Sequence, residues 1–382
     1  MKKKIKYAIC FFVSLIIFVS FFLVINNKGQ DKNIRGKIVV WSDEKTYDYM
    51  NSVAQEFMIQ NTKCNIQVVK INENELDSYL IEAIKTGSLP NIVEIGSDSL
   101  NTLIEEVDGN SSFKNIDSYI NNYSSNYTGR MLQEGKVDDK NIGLPFTTNP
   151  IVLYLREDML NEYGYKGENI NTWTDLINMG KDVFEKSGGK IRVLKATGKD
   201  YEYLISLLVM QAMEESNSET EIKKIVDEKI SILKNDNILN YDDYGSYLAR
   251  LSSMEGMDEL RKIDTECQWT ANNAPSVVNG GNRFYLMEGK TLITFNKDGN
   301  NNNLLAEKFL GALTINSENI IKYLDNQLFL SSLSVYNNKQ IEISFKNFQG
   351  KSPLVIMSNI SKKAPELEEY SLYKKIKNEY IN

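Results

Sequence analysis

The chain has 382 residues, 42% of them hydrophobic and 25% charged, with a net charge of −7. That length predicts two or three domains, and the composition excludes wholesale disorder. Histidine is absent and the three cysteines, Cys10, Cys64 and Cys267, fit no metal or redox spacing, which excludes Ser-His-Asp and Cys-His catalysis, His-ligated zinc and CxxC chemistry.

Residues 1–36 stand apart from the rest. Lys2, Lys3, Lys4 and Lys6 precede an apolar and small-residue run over 7–25. As a helix at ~1.5 Å per residue this run is just long enough to cross a bilayer core. A cleaved signal peptide is the rival, but the run is long for one and no A-x-A site follows it. Lipidation fits poorly, because Ile9 rather than a small residue precedes Cys10. The expectation is an uncleaved transmembrane anchor, with the lysines inside and residues 37–382 on the extracellular face of the cell membrane. Residues 1–36 carry seven basic and one acidic residue, so taking their +6 from −7 leaves −13 for the remainder. So acidic a surface repels phosphate backbones and argues against nucleic acid as a partner.

From residue 37 onward strands and helices alternate. Residues 37–41 (KIVVW) read as a short apolar strand. Met50, Val53, Ala54, Phe57 and Met58 then fall on one face of a helix over 48–60. A strand at 66–69 is followed by helical spacing of Leu76, Tyr79, Leu80, Ala83 and Ile84, with Gly87 as a stop signal. Pro90 introduces a third strand at 92–95, and 100–107 reads as helix. This order implies a mainly parallel sheet whose ligands sit beyond the carboxyl ends of its strands, at loops 42–45 and 96–99.

Residues 151–155 read as another apolar strand. A largely helical stretch follows to about 251, with one stripe at Leu204, Leu207 and Leu208 and another at Ile222, Ile225, Val226, Ile230 and Leu233. Strand character returns over 283–295 and at 328–336, and a charged helix is expected over 366–380. The asparagine run 300–303 reads as loop.

Several segments, in order, resemble the extracellular sugar-binding proteins of ABC importers, the maltose-binding-protein-like family. KIVVWSDEK (37–45) resembles its first strand and ligand loop, and PNIVEIGSDSL (90–100) its third. GLPFTTNPIVLYLREDML (143–160) resembles the hinge crossing, NTWTDL (171–176) the opening of the second lobe, and LMEG with TLITFN (286–289, 291–296) the crossing back. SSLSVYNNKQIEISFKNF (331–348) resembles a strand–helix near the end. Arg156 departs from the usual Asn of the hinge motif, no Gly-x-Trp follows the second crossing at 296–300, and only 34 residues follow Phe348.

The resemblance implies an α/β, two-lobed periplasmic-binding-protein-like fold of type II. Its first lobe would span 37–148 with part of about 297–335 returning, and its second 149–296 with about 336–382 returning. Rotation would occur near 149–153 and 294–297. The ligand-binding candidates it implies are Trp41, Ser42, Asp43, Glu44 and Lys45 in the first loop, Asp98 and Ser99 in the next, Asn149 at the hinge, and Trp269 and Tyr285 as stacking rings. Carboxylates, amides and ammonium groups would satisfy sugar hydroxyls while rings cover the C–H faces. Each has a plainer reading: Trp41 and Trp269 as core packing, 43–45 as a solvated turn, Asp98 as a helix N-cap, Asn149 as a turn residue, Cys64 and Cys267 as buried thiols. The implied function is a monomeric, cofactor-free, non-enzymatic receptor delivering a small sugar or oligosaccharide to an ABC permease. The alternative is a membrane-anchored ligand sensor on the same fold; a glycosidase is disfavoured because no acid/base carboxylate pair is marked.

Overall fold

The computed structural model describes residues 34–96, 99–100, 103–104, 113–137, 140–242, 246–264, 266–295, 300–315, 327–337 and 339–381. The apolar run 7–25, Cys10 and Asp98 lie outside them. No helix among the described residues is long and apolar enough to cross a membrane.

Strands β1 (Gly36–Asp43) and β2 (Cys64–Ile71) pair in parallel along their whole length, and β3 (Ile92–Gly96) joins the other edge of β1, also in parallel. The crossovers are α1 (Tyr47–Gln60) and α2 (Glu73–Thr86). Helix α1 buries Met50, Val53 and Ala54 of the stripe its spacing predicts, with Tyr49 beside them and Phe57 and Met58 partly buried. Asn72 caps α2 by accepting from the Asn74 amide, and Gly87 ends it in the left-handed region at φ 67°. Strand β4 (Gly143–Pro145) forms the far edge of this sheet.

Strand β5 (Asn149–Pro150) carries the chain across to β6 (Val152–Arg156), the start of a second sheet. There follow α3 (Trp173–Lys186), β7 (Leu194–Lys195), α4 (Gly198–Glu215), α5 (Glu219–Asn235), β8 (Leu239–Asn240), β9 (Ala249–Ser252), α6 (Met254–Arg261) and β10 (Trp269–Asn273). A capping box between Thr172 and Asp175 starts α3. Strand β11 (Leu286–Met287) pairs antiparallel with β5 and brings the chain back, whereupon β12 (Lys290–Thr294) inserts between β3 and β4, antiparallel to both. Among the described residues the sheets run β2-β1-β3-β12-β4 and β8-β7-β9-β6-β10.

Helix α7 (Asn300–Thr314) packs on β1 and α1. A third crossing runs beside 146–148: the Thr148 amide donates to Phe329 O and the Ser331 amide to Phe146 O, both at 2.9 Å. Helix α8 (Pro353–Lys363) lies against β10, and α9 (Tyr370–Ile381) against α4, where Tyr373 and Ile376 enter the second core.

Four expectations are corrected. The second lobe does not extend to 296: its return crossing is β11, and β12 belongs to the first sheet. Thr294 therefore lies beside Ile92, at the end of β3 away from the crossings, so it is no pivot; 296–297 lie outside the described residues. The asparagine run opens α7 instead of forming a loop, and the Asn302 side chain accepts the Lys37 amide at 3.0 Å. Residues 328–336 make one bridge, Thr147↔Leu330, and then a 3-10 turn over Leu333–Tyr336, because their backbone groups serve the crossing. Cys64 and Cys267 are buried free thiols.

Candidate functional site

The carboxyl ends of β1 and β3 meet the three crossings, and there a cavity of about 340 Å³ lies between the lobes. Asp43, Lys45, Thr46 and Ser99 line it from the first lobe, and Lys199, Glu202 and Glu255 from the second. Thr147, Asn149, Glu288, Lys290, Gln327 and Phe329 contribute from the crossings, and Lys377 from α9. Four carboxylates and four ammonium groups thus share a small space with one aromatic ring, Phe329, which stacks on Tyr336 at 4.2 Å between centroids. Such a lining offers many hydrogen-bond partners to a polar solute, and Met287, Leu328 and Ile381 add apolar surface beside the ring.

The loop after β1 is tightly ordered. Asp43 is 8% exposed; its Oδ1 accepts the Lys45 amide at 2.7 Å, and its Oδ2 lies 3.5 Å from Lys290 Nζ. Beneath it Glu94 accepts the Asp43 amide at 2.9 Å and the Thr46 hydroxyl. Burial pushes the Glu94 carboxyl up to about 7.

The crossings are held from both sides. Asn149 Nδ2 donates to Glu288 O, and the Lys290 amide donates to Thr147 Oγ1 at 3.0 Å. Arg130 and Glu134 form a fully buried ion pair at 3.2 Å; Arg130 also donates to Leu286 O at 2.8 Å, and Glu134 accepts the Gly289 amide at 3.1 Å. Gly289 is required by close approach: a Cβ there would sit 1.8 Å from Thr147 O.

Of the sequence candidates, Asp43, Lys45, Ser99 and Asn149 line the cavity. Ser42 lies just beneath, its hydroxyl 3.4 Å from Glu94 Oε2. Glu44 turns outward and pairs with Lys70 at 3.5 Å. Trp41 packs edge-on against Tyr79 of α2 at 6.4 Å, because side chains alternate along β1 and its neighbours Val40 and Ser42 are the buried ones. Trp269 is 2% exposed, 5.8 Å from the Tyr247 ring, its amide tied to Asn347 O; it is a core residue of the second sheet. Tyr285 lines a different cavity, about 740 Å³, and donates to Glu214 at 3.0 Å. Neither ring stands against the cleft. Asp98 is outside the described residues.

Sequence reasoning passed over Thr46, Glu94, Lys199, Glu202, Glu255, Glu288, Lys290, Phe329 and Lys377. Glu94 carried a readable signal, a lone carboxylate in the apolar strand IVEIG. Thr46, Lys199, Glu202, Glu255, Glu288 and Lys377 belong to helices and turns whose pattern is that of any surface, while Lys290 opens β12 and Phe329 sits in the third crossing. Among the described residues no group of three or more Cys, Asp or Glu is placed to hold a metal ion.

The family of bacterial extracellular solute-binding proteins matches residues 52–324. The chain belongs to this family. Over 168 residues it is 23% identical to the lactose-binding protein of Rhizobium radiobacter, a match that covers 42% of this chain and 39% of that protein's length. Its fold is shared with the sugar-binding protein MalE from Xanthomonas citri (TM-score 0.71, 14% identity, 91% and 90% of the two chains). It is shared also with the cyclic alpha-maltosyl-1,6-maltose binding protein of Arthrobacter globiformis (TM-score 0.70, 12% identity, 90% and 93%). The two-lobed α/β fold described above is thus shared with these sugar-binding structures over about nine-tenths of the chain.

Proposed function

We propose that the chain is a solute receptor that closes its two lobes around a carbohydrate and presents the closed form to an ABC permease. The observation that carries this reading is the cleft itself, lined by polar side chains from both lobes and all three crossings. Contacts made by both lobes at once exist only when they are closed, so ligand shifts the population toward that form. The sugar-binding names of the relatives above support carbohydrate as the ligand class, and the family supports a receptor rather than an enzyme. A cavity of about 340 Å³ sits at the low end of the ~300–1,000 Å³ usual for ligand pockets, which supports a mono- or disaccharide.

On this reading the candidate contacts are Asp43, Lys45, Ser99 and Asn149, joined by Lys199, Glu202, Glu255 and Lys290. Residues 1–36 tether a monomeric receptor to the outer face of the membrane; membrane fractionation with intact-mass analysis tests the tether. A thermal-shift screen against mono- and disaccharides tests the receptor, since a ligand of the folded state raises the melting temperature by mass action. A specific shift, with compaction in small-angle scattering, is the expected result. No shift from any sugar, alongside a shift from an amino acid or polyamine, refutes carbohydrate as the class.

A further inference from the structure

Strand β3 is built for the interior: Ile92, Val93 and Ile95 are wholly buried, yet Glu94 sits between them at 2% exposed. Among the described residues its Oε2 accepts only from the end of β1 and the turn after it: the Asp43 amide at 2.9 Å, the Thr46 hydroxyl, and the Ser42 hydroxyl at 3.4 Å. Its Oε1 is buried and has no hydrogen-bond partner among the described residues. The charged groups that face it are Asp43 on β1, which disfavours its ionisation, and Lys290 on β12, which favours it; from the start of α1 comes the Thr46 hydroxyl. Lys290 is itself 3.5 Å from Asp43. A half-satisfied carboxylate in an apolar strand is a poor way to stabilise a sheet. A strand of this kind gains stability from an aliphatic side chain at the same place.

We infer that Glu94 is a positioning residue: it fixes the 43–46 turn so that Asp43 faces the cleft with Lys290 at its side, and it does so at the expense of the fold's stability. The inference rests on reading the cleft as the solute site, and it separates two quantities that a purely structural residue would move together. Burial holds the Glu94 carboxyl at about 7, above its unfolded range. Its contribution to global stability is therefore full below the unfolded value and is lost as pH rises through about 7. The hydrogen bonds to the turn run the other way, being strongest once the carboxylate is ionised.

The test is amide hydrogen exchange and thermal unfolding of the full chain at pH 6 and pH 8, comparing wild type, Glu94→Gln and Glu94→Leu without ligand. Glu94→Gln keeps an acceptor and removes the titration; Glu94→Leu removes both. At pH 8 both variants are expected to melt at or above the wild-type temperature. In Glu94→Leu the amides of 43–46 exchange roughly ten-fold faster, the loss of a hydrogen bond to a charged acceptor. Wild-type protection there, corrected for the intrinsic rate, rises from pH 6 to pH 8, and that of Glu94→Gln does not. Lower melting temperatures at pH 8 with unchanged protection of the turn would overturn the inference. Exchange reads the turn with no ligand present, so a cleft that binds no sugar counts against the receptor reading and leaves this result to be decided by exchange alone.

Discussion

Lys377, in the last helix, donates to Oε1 of Glu288 at 2.8 Å, and Tyr373, one turn earlier, donates to Oε2 of the same carboxylate at 3.0 Å. Glu288 lies between β11 and β12, so the C-terminal helix grips the crossing at the edge of the cleft. Both Lys377 and Glu288 are at least nine-tenths buried. Replacing Lys377→Ala strands a buried carboxylate and should cost about 3–5 kcal/mol of stability in urea unfolding. Combining Lys377→Met with Glu288→Gln should recover much of it, because the charge is then gone from both sides.

A second prediction concerns the other grip on this segment. Glu134→Ala leaves Arg130 buried without its ion-pair partner and the Gly289 amide without an acceptor. A loss of about 3–5 kcal/mol is expected, and a smaller one for Glu134→Gln, whose amide oxygen still accepts the Gly289 amide. Urea unfolding of the two variants checks the order.

Gly289→Ala should separate the crossings. The added methyl would meet Thr147 O and the neighbouring Thr148 backbone, neither of which can give way without shifting the strand. We expect a loss of at least about 2 kcal/mol, within the range for backbone strain and overpacking, together with weaker solute binding. Chemical denaturation and calorimetric titration measure the two parts.

For the cleft, Lys45→Ala and Lys199→Ala should each weaken sugar binding by roughly ten-fold, the worth of one charge-assisted hydrogen bond, without changing the melting temperature. Glu44→Ala should change neither, since its side chain faces Lys70 on the outer surface. Trp269→Ala should do the reverse of the lysine variants, lowering stability by about 3–5 kcal/mol as a large buried ring is lost. Calorimetry on all four variants separates site from scaffold.

How far the sequence carried the reading depends on how local the signal was. The first lobe's alternation was legible because α1 and α2 bury one stripe each and β3 is apolar apart from Glu94. Asp43, Lys45 and Ser99 were placed beside the cleft by strand order, which sends both loops to one sheet edge, and Asn149 by the resemblance of 143–160 to a hinge crossing. Trp41 and Trp269 were misplaced for a different reason: an aromatic at a strand end reads alike whether it faces solute or core, and only the pleat decides. The register of β12 was hidden too. KTLIT is an apolar strand in either lobe, and nothing in its five residues says that it runs antiparallel between β3 and β4. Lys377 was out of reach, because it meets Glu288 across 89 residues.

The discontinuity of the two lobes bears on how the chain is made. The second sheet is complete by β10, yet its core still lacks Tyr373 and Ile376 of α9. The first sheet, for its part, waits for β12 before β3 and β4 can join. The first half cannot close until about three-quarters of the chain has been made, and the second until nearly all of it has, and pairings of such long sequence separation form slowly. A polypeptide bound for export through a narrow translocation channel gains from that delay, since it reaches the membrane before it has anything rigid to unfold.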